Sequence, residues 1–386
     1  MIPYGKQDIT QDDIDAVVEV LKSDFLTQGP KVPAFEEDLK ARCEAPYAVA
    51  VNSATSALHL ACLALGVSSG DRVWTSPITF VASANSALYC GAAIDFVDID
   101  PDTFNMCPDA LHQKLIEADK AGQLPKVIIP VHMCGQSPDM EKIYSLAQQY
   151  GIGLIEDASH AMGARYKDAP VGNCQFSDIT VFSFHPVKIV TTAEGGVALT
   201  KRKDLYDSMA LLRSHGITRD VDRMTEPSHG PWYYQQIDLG YNYRMTDIQA
   251  ALGLSQLSRL ETYVSVRNQL ASGYDEKLAG LPVILPGRQS LSYSAFHLYI
   301  IQLEKPEIHR SVFEYLRAND VGVNLHYIPV HLQPYYRAMG FGDGDFPKAE
   351  AYYARAISLP LHPKLTIEQQ DYVVSTLKDA LVNAVG

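Results

Sequence analysis

From residue 47 onward, short apolar runs alternate with segments whose apolar residues recur at helical spacing. "YAVAV" (47–51) precedes the helix-like "SATSALHLACLAL", and "DRVWTS" precedes "TFVASANSALYCG"; "AAIDFVDI", "KVIIPVH", "GIGLIEDAS" and "DITVFSF" follow as further strand-like runs. Apolar runs separated by helices predict a mostly parallel sheet with helices on both faces. In such sheets ligands sit beyond the carboxyl ends of the strands, so the loops after these runs are where chemistry is sought.

Further along, Thr246-Asp-Ile-Gln249 has the form of a capping box and predicts the start of one long amphipathic helical stretch, "TDIQAALGLSQLSRLETYVSVRNQLASGYDEKLAGL". The pattern then changes to the strand-like "HLYIIQLE", the helix-like "HRSVFEYLRAND", the strand-like "VGVNLHY" and a last helix from about residue 366. The expected fold class is therefore α/β. A large domain over residues 1–255 is followed by a smaller α+β domain over 256–386, with the long helix as connector.

Composition narrows the function classes. With 386 residues, 47% of them hydrophobic, the chain can bury a large core. Its first residues, "MIPYGKQDITQDDIDAVVEVL", carry acids where a signal peptide needs a basic start, and no segment has 18 uninterrupted apolar residues. The expectation is a cytoplasmic protein without a membrane partner. A net charge of −13 argues against nucleic acid but leaves room for a small anion in a local pocket. Six scattered cysteines form no CxxC pair and suggest neither a zinc site nor a disulfide framework. His132 and Cys134 in "VHMCG" have no second ligand cluster, so no metal is expected.

Three loops carry candidate chemistry. Lys188, in "SFHPVKIVTTAEGG", follows an apolar run, where a buried ammonium would cost several kcal/mol unless paired or deprotonated. "GIGLIEDASHA" ends a strand-like run on Glu156-Asp157, where a carboxylate needs a partner unless the Asp is a structural N-cap. "VNSATSALHL" turns a strand into a helix through small residues, so the amides near Ala54, Thr55 and Ser56 offer an anion site that Ser and Thr caps would mimic. Neither a Walker loop nor GxGxxG is present. An anion site, a carboxylate and a lysine are the three features pyridoxal 5'-phosphate requires, for its phosphate, its ring nitrogen and a Schiff base. Phe80 in "SPITFVASANS" offers a face for the ring or fills the core.

Taken in order, "LTQGPKVPAFEEDL", "NSATSAL", "PITFVASAN", "EDASHAMGA", "FSFHPVK", "TTAEGG", "LLRSHGI", "GYNYRMTDIQAALGLSQL", "HYIPVH" and "ISLPLHPKLT" resemble the DegT-type nucleotide-sugar aminotransferases. The resemblance spans nearly the whole chain and implies an aspartate-aminotransferase-like fold, type I among pyridoxal-phosphate enzymes. It implies that Lys188 forms the Schiff base and shuttles the proton, that Asp157 pairs with the ring nitrogen, that Phe80 stacks on the ring and that His160 lies beside the ring hydroxyl. Ala54, Thr55 and Ser183 would hold the phosphate. Asn242 would reach the phosphate of a neighbouring subunit, which implies a homodimer with shared sites.

Within the family, "LTQG", "NSATSAL", "TTAEGG", "RSHG" and the His-Tyr of "HYIPVH" are similar to the branch acting in pseudaminic acid synthesis. That branch aminates C4 of a UDP-linked 4-keto-6-deoxy-L-arabino sugar with L-glutamate as donor and 2-oxoglutarate as by-product. Tyr4, Arg213, His215, His326 and Tyr327 are the candidate substrate contacts, although His326 and Tyr327 also read as packing or capping residues of the second domain and Arg213 and His215 as loop ordering. Arg213, His215, Arg219 and Arg223 cluster in "LLRSHGITRDVDR", as a diphosphate site or as a solvated face. The alternatives are C3 or C4 amination of another UDP- or dTDP-linked keto-sugar, a non-catalytic sensor, and the dehydratase branch. The dehydratase branch carries histidine in place of the lysine, and a sensor has no use for the lysine and its Asp partner.

Overall fold

A computed structural model describes residues 1–384. The apolar runs form one seven-stranded sheet in the order Tyr47–Val51, Gly196–Thr200, Ile179–Ser183, Gly153–Asp157, Val127–Ile129, Arg72–Thr75, Ala93–Phe96. Five of these strands are linked by parallel pairings, while Gly196–Thr200 runs antiparallel to both its neighbours. The sequence pattern did not single out that strand. Its run "GVALT" is short and begins on glycine, and its direction follows from a tight return after "TTAEGG" rather than from a helical crossover. Gly196 is required there, because a Cβ on it would collide with the backbone of Ser53 and Ala54. The glycine thus lets this strand pass against the start of the helix Ala54–Ala64.

Two expectations need correction. The single helix expected from 246 is two, Asp247–Leu257 and Leu260–Leu278, although the Thr246–Gln249 capping box opens the first as anticipated. At the break, Arg259 turns its guanidinium onto Asp13, with Nη2 donating to both carboxylate oxygens at 2.8 and 2.7 Å. "VGVNLHY" is not a strand. Val321 and Val323 point inward as alternation predicts, but the segment pairs with Ala356–Leu359 only at Asn324 and Ser358 before His326 and Tyr327 turn toward a cavity.

One of the smaller antiparallel sheets, Val283–Ile284, Tyr299–Leu303 and Ala356–Leu359, packs with the helices Leu260–Leu278, His309–Ala318 and Ile367–Asn383 around a core of its own. Arg267, 1% exposed, donates from Nη1 to the carbonyls of Phe296, His297 and Leu361 and so ties the long helix to this core. Among the described residues, no helix is long and apolar enough to cross a membrane.

Asp13 is 1% exposed and also accepts from Thr10 N, Ser255 Oγ and Gln256 Nε2. Burial pushes its carboxyl up, and the bonds from Arg259, Ser255, Thr10 and Gln256 outweigh this and hold it below the ordinary range. A carboxyl depressed in the fold contributes stability above its unfolded pKa and loses it as pH falls through the folded value. Arg259→Met should cost about 3 kcal/mol at neutral pH by stranding a buried carboxylate. A thermal melt should also show the variant losing stability at a higher pH than the parent on acidification. An unchanged melting temperature and acid limb would show that this clamp does not hold the helix Gln11–Leu21, which carries Asp13, to the rest.

Candidate active site

The carboxyl end of the large sheet opens into a cavity of about 550 Å³. Ten of the residues singled out from sequence line it: Tyr4, Ala54, Thr55, Phe80, Asp157, His160, Ser183, Lys188, His326 and Tyr327. They arrive from strand ends, a helix start and the "HYIPVH" turn, which are hundreds of residues apart in the chain.

Lys188 sits in the turn after the strand Ile179–Ser183 and is partly buried. Desolvation by the cavity wall lowers its pKa to about 8, with the nearby Asp157 charge acting in the opposite direction. Among the described residues no carboxylate lies within ion-pair distance of its amine. With no counter-ion beside it, the amine gives up its proton more readily than an ordinary lysine, so a fraction of it is neutral near physiological pH.

Asp157 ends the strand Gly153–Asp157 and is 5% exposed. Ser83 Oγ donates to Oδ2 at 2.6 Å, and Ser159 Oγ donates to Oδ1 at 2.5 Å. Asp157 caps no helix. Its carboxylate is fixed in direction by two hydroxyls and faces the cavity. The adjacent Glu156 points away and lies 2.8 Å from His132 Nε2 while accepting from Ser177 and Thr180. Burial pushes Glu156 up, and these neighbours outweigh it and keep it below its usual range. His132 is thus committed to a carboxylate.

The helix Ala54–Ala64 starts at the cavity wall. Its N-cap Ser53 accepts from Ser56 N, which leaves the amides of Ala54 and Thr55 without an intrahelical partner. Ser183 stands beside them in the lining. Two free amides on a helix dipole, next to a hydroxyl, suit a phosphate. Phe80 is 60% exposed, with its ring open to the cavity rather than sunk in a core.

Histidines complete the wall. His160 Nε2 lies 3.1 Å from Tyr327 Oη, and its ring packs at 4.4 Å on His297. His326 Nδ1 lies 2.8 Å from Ser358 Oγ, and Tyr4 packs on its other side at 5.2 Å. Burial, reinforced by the Lys188 charge, pushes His326 down to about 3. Burial likewise holds His160 and His297 well below the usual histidine range. All three are neutral at physiological pH.

Arg213, His215 and Asn242 are not brought to this cavity within one chain. Arg213 donates to Glu36 Oε1 at 2.6 Å and to the Ala50 carbonyl at 2.8 Å. His215 and Asn242 are exposed, and Asn242 bridges Ser214 on an antiparallel pairing. Sequence reasoning missed His297, Ser83 and Ser159. Ser159 was within reach, because Asp-x-Ser is a local turn pattern. Ser83 lies 74 residues from the carboxylate it holds, and nothing local marks it.

The donor set fits pyridoxal phosphate. It pairs an unpaired amine of lowered pKa with a fixed carboxylate, two free helix amides and an open aromatic face in one enclosure. Comparison with known proteins agrees. Residues 7–378 match the family described as the DegT/DnrJ/EryC1/StrS aminotransferase family. The chain is 38% identical over 382 residues to a UDP-4-amino-4,6-dideoxy-N-acetyl-beta-L-altrosamine transaminase of Campylobacter jejuni, covering 98% of this chain and 96% of that one. Among solved structures, the putative sugar aminotransferase Spr1654 of Streptococcus pneumoniae superposes in its PMP-form with a TM-score of 0.92 at 34% identity, covering 100% of both chains. Its PLP-form superposes with a TM-score of 0.90 at 32% identity and the same coverage. Helicobacter pylori PseC, an aminotransferase involved in the biosynthesis of pseudoaminic acid, gives a TM-score of 0.90 at 31% identity, covering 99% of each chain. With a family match over most of its length and a site built for the cofactor, this chain belongs to the DegT/DnrJ/EryC1/StrS aminotransferase family and is a pyridoxal-phosphate-dependent enzyme.

Proposed function

We propose that the protein moves an amino group from L-glutamate to C4 of a UDP-linked 4-keto-6-deoxy-N-acetylhexosamine of L-arabino configuration. The product is UDP-4-amino-4,6-dideoxy-N-acetyl-β-L-altrosamine, for pseudaminic acid synthesis. The observation that carries the amination is Lys188 and Asp157 facing one desolvated cavity from neighbouring strand ends. Likeness to the Campylobacter transaminase and to PseC supports the substrate.

In this reading, pyridoxal phosphate supplies when bound an electron sink for the carbon that loses its proton. Lys188 would hold the cofactor through Nζ, and its amine, when free, would take the proton from the substrate carbon and return it. Its lowered pKa keeps a usable fraction of neutral amine near physiological pH. Asp157 would pair with the ring nitrogen, and the bonds it accepts from Ser83 and Ser159 stop it from turning away. Ala54, Thr55 and Ser183 would hold the phosphate, Phe80 would cover a ring face and His160 would stand by the ring hydroxyl. His326, Tyr327 and Tyr4 border the space left for the sugar. Arg213 and His215 order the loop that presents Asn242. Asn242 is exposed, as a residue completing a partner's phosphate site must be, so the proposal includes a cytoplasmic homodimer with shared sites. Division near residue 255 into a cofactor-holding unit and a smaller unit is part of the same reading, and the separate core around the three-stranded sheet supports it.

Cofactor capture by cofactor-free enzyme should accelerate with pH. The neutral amine attacks, and its fraction rises through about pH 8 rather than through the ordinary lysine value of 10.5. Stopped-flow absorbance of added pyridoxal phosphate reads this directly, and a midpoint near 10.5 would contradict the desolvated site. Lys188→Ala and Asn242→Ala dimers should each be inactive or nearly so. After subunit exchange, mixed dimers should regain up to about one working site in two; no recovery despite proven exchange would count against shared sites. Enzyme converted to its amine form by glutamate and then desalted should recover the absorbance of the lysine-bound cofactor when given the UDP-L-arabino ketone. Recovery only with the D-xylo epimer would move the enzyme to another amino-sugar route.

A further inference from the structure

A second depression, of about 600 Å³, lies next to the cavity. The helix Ala82–Tyr89 links the two. Ala82 lines the cavity, whereas Asn85 and Tyr89, on the same helical face, line the depression. Seven residues of helix advance roughly 10 Å, at about 1.5 Å each. That is the kind of span a diphosphate and a ribose bridge.

The chemistry of the depression is specific. None of its lining residues is charged. Tyr89 and Tyr335, 55% and 64% exposed, offer two open aromatic faces. Tyr336 is buried, stands edge-on to Tyr335 with ring centroids 5.6 Å apart, and donates its hydroxyl to Asn85 Oδ1 at 2.6 Å. That bond fixes the Asn85 amide and leaves its N–H2 to donate elsewhere. Among the described residues the Gln333 side-chain amide has no hydrogen-bond partner, so it presents a donor and an acceptor side by side. Aromatic faces with free amides, in a neutral setting, are what a flat heterocyclic imide needs: stacking on its faces and donor–acceptor pairing along its edge. An apolar peptide would leave the amides unused, and an anion would find no counter-charge.

We propose that this groove holds the pyrimidine ring of the nucleoside diphosphate whose sugar enters the cavity beside Lys188. The proposal rests on the reading of the substrate as a sugar nucleotide and adds where its base is recognised. Tyr335 supplies a stacking face, and Gln333 pairs with the imide edge.

Calorimetric titration of UDP and dTDP into the cofactor-loaded enzyme tests it. Tyr335→Ala should weaken binding about tenfold, the usual worth of one stacking partner. Gln333→Ala should weaken it several-fold. Both side chains are at least partly exposed, so both variants should fold, and gel filtration checks their assembly. Wild-type affinity for UDP and dTDP in both variants overturns the proposal, as does failure of the parent to bind either nucleotide. A Tyr335→Ala enzyme that falls apart into single chains also overturns it, because the groove is then a contact between copies. Conversion of the parent's bound cofactor by glutamate, followed separately, tests the amination reading by itself. Success there with unaltered nucleotide affinity in the variants removes the groove alone. Failure there with weakened nucleotide affinity in the variants removes the amination and leaves the groove.

Discussion

Keeping the Lys188 amine out of water without giving it a partner is the constraint on which the site depends. An ion pair at Nζ would restore the ordinary lysine pKa and remove the neutral amine that attack on a carbonyl requires. The surroundings avoid this. Asp157 is near enough to be felt but has its oxygens taken up by Ser83 and Ser159. Three buried histidines of the wall, His160, His297 and His326, are driven neutral by burial, reinforced by the Lys188 charge. A carboxylate and an amine therefore coexist in one enclosure without cancelling each other.

Sheet architecture makes that separation possible. Gly153–Asp157 and Ile179–Ser183 are adjacent parallel strands, so their ends deliver Asp157 and the Lys188 loop to the same edge. The reversed strand Gly196–Thr200 then brings the chain back between Ile179–Ser183 and Tyr47–Val51, hard against the start of the helix Ala54–Ala64. Substituting Gly196 would push that helix start, and the two free amides it carries, away from the lysine. Backbone packing at a single glycine thereby sets the distance between the phosphate site and the amine.

The wall opposite the sheet depends on charged clamps. Arg267 gathers the carbonyls of Phe296, His297 and Leu361, which places the His297 ring on His160. Arg259 breaks the expected helix and ties it to Asp13 near the N-terminus, in the same leading segment that supplies Tyr4 to the cavity. The buried guanidinium of Arg267 costs desolvation energy, and what both clamps contribute is a single relative placement of segments far apart in sequence.

Much of this was legible in the sequence. Apolar runs and capping patterns are local, and they specified six of the seven strands of the large sheet, the helix at Ala54, the capping box at Thr246 and the loops where Asp157 and Lys188 lie, because hydrophobic burial and free helix ends act over a few residues. The order of "NSATSAL", "EDASHA" and "FSFHPVK" was enough to indicate the cofactor. Tertiary structure alone decided the direction of Gly196–Thr200, the break at Arg259, the bend that turns "VGVNLHY" from a strand into part of the cavity wall, and the hold of Ser83 on Asp157. Each of these rests on contacts between residues distant along the chain, such as Gly196 with Ala54 or Arg259 with Asp13. Such contacts leave no periodicity in the sequence, and their geometry exists only once the sheet has closed over its core.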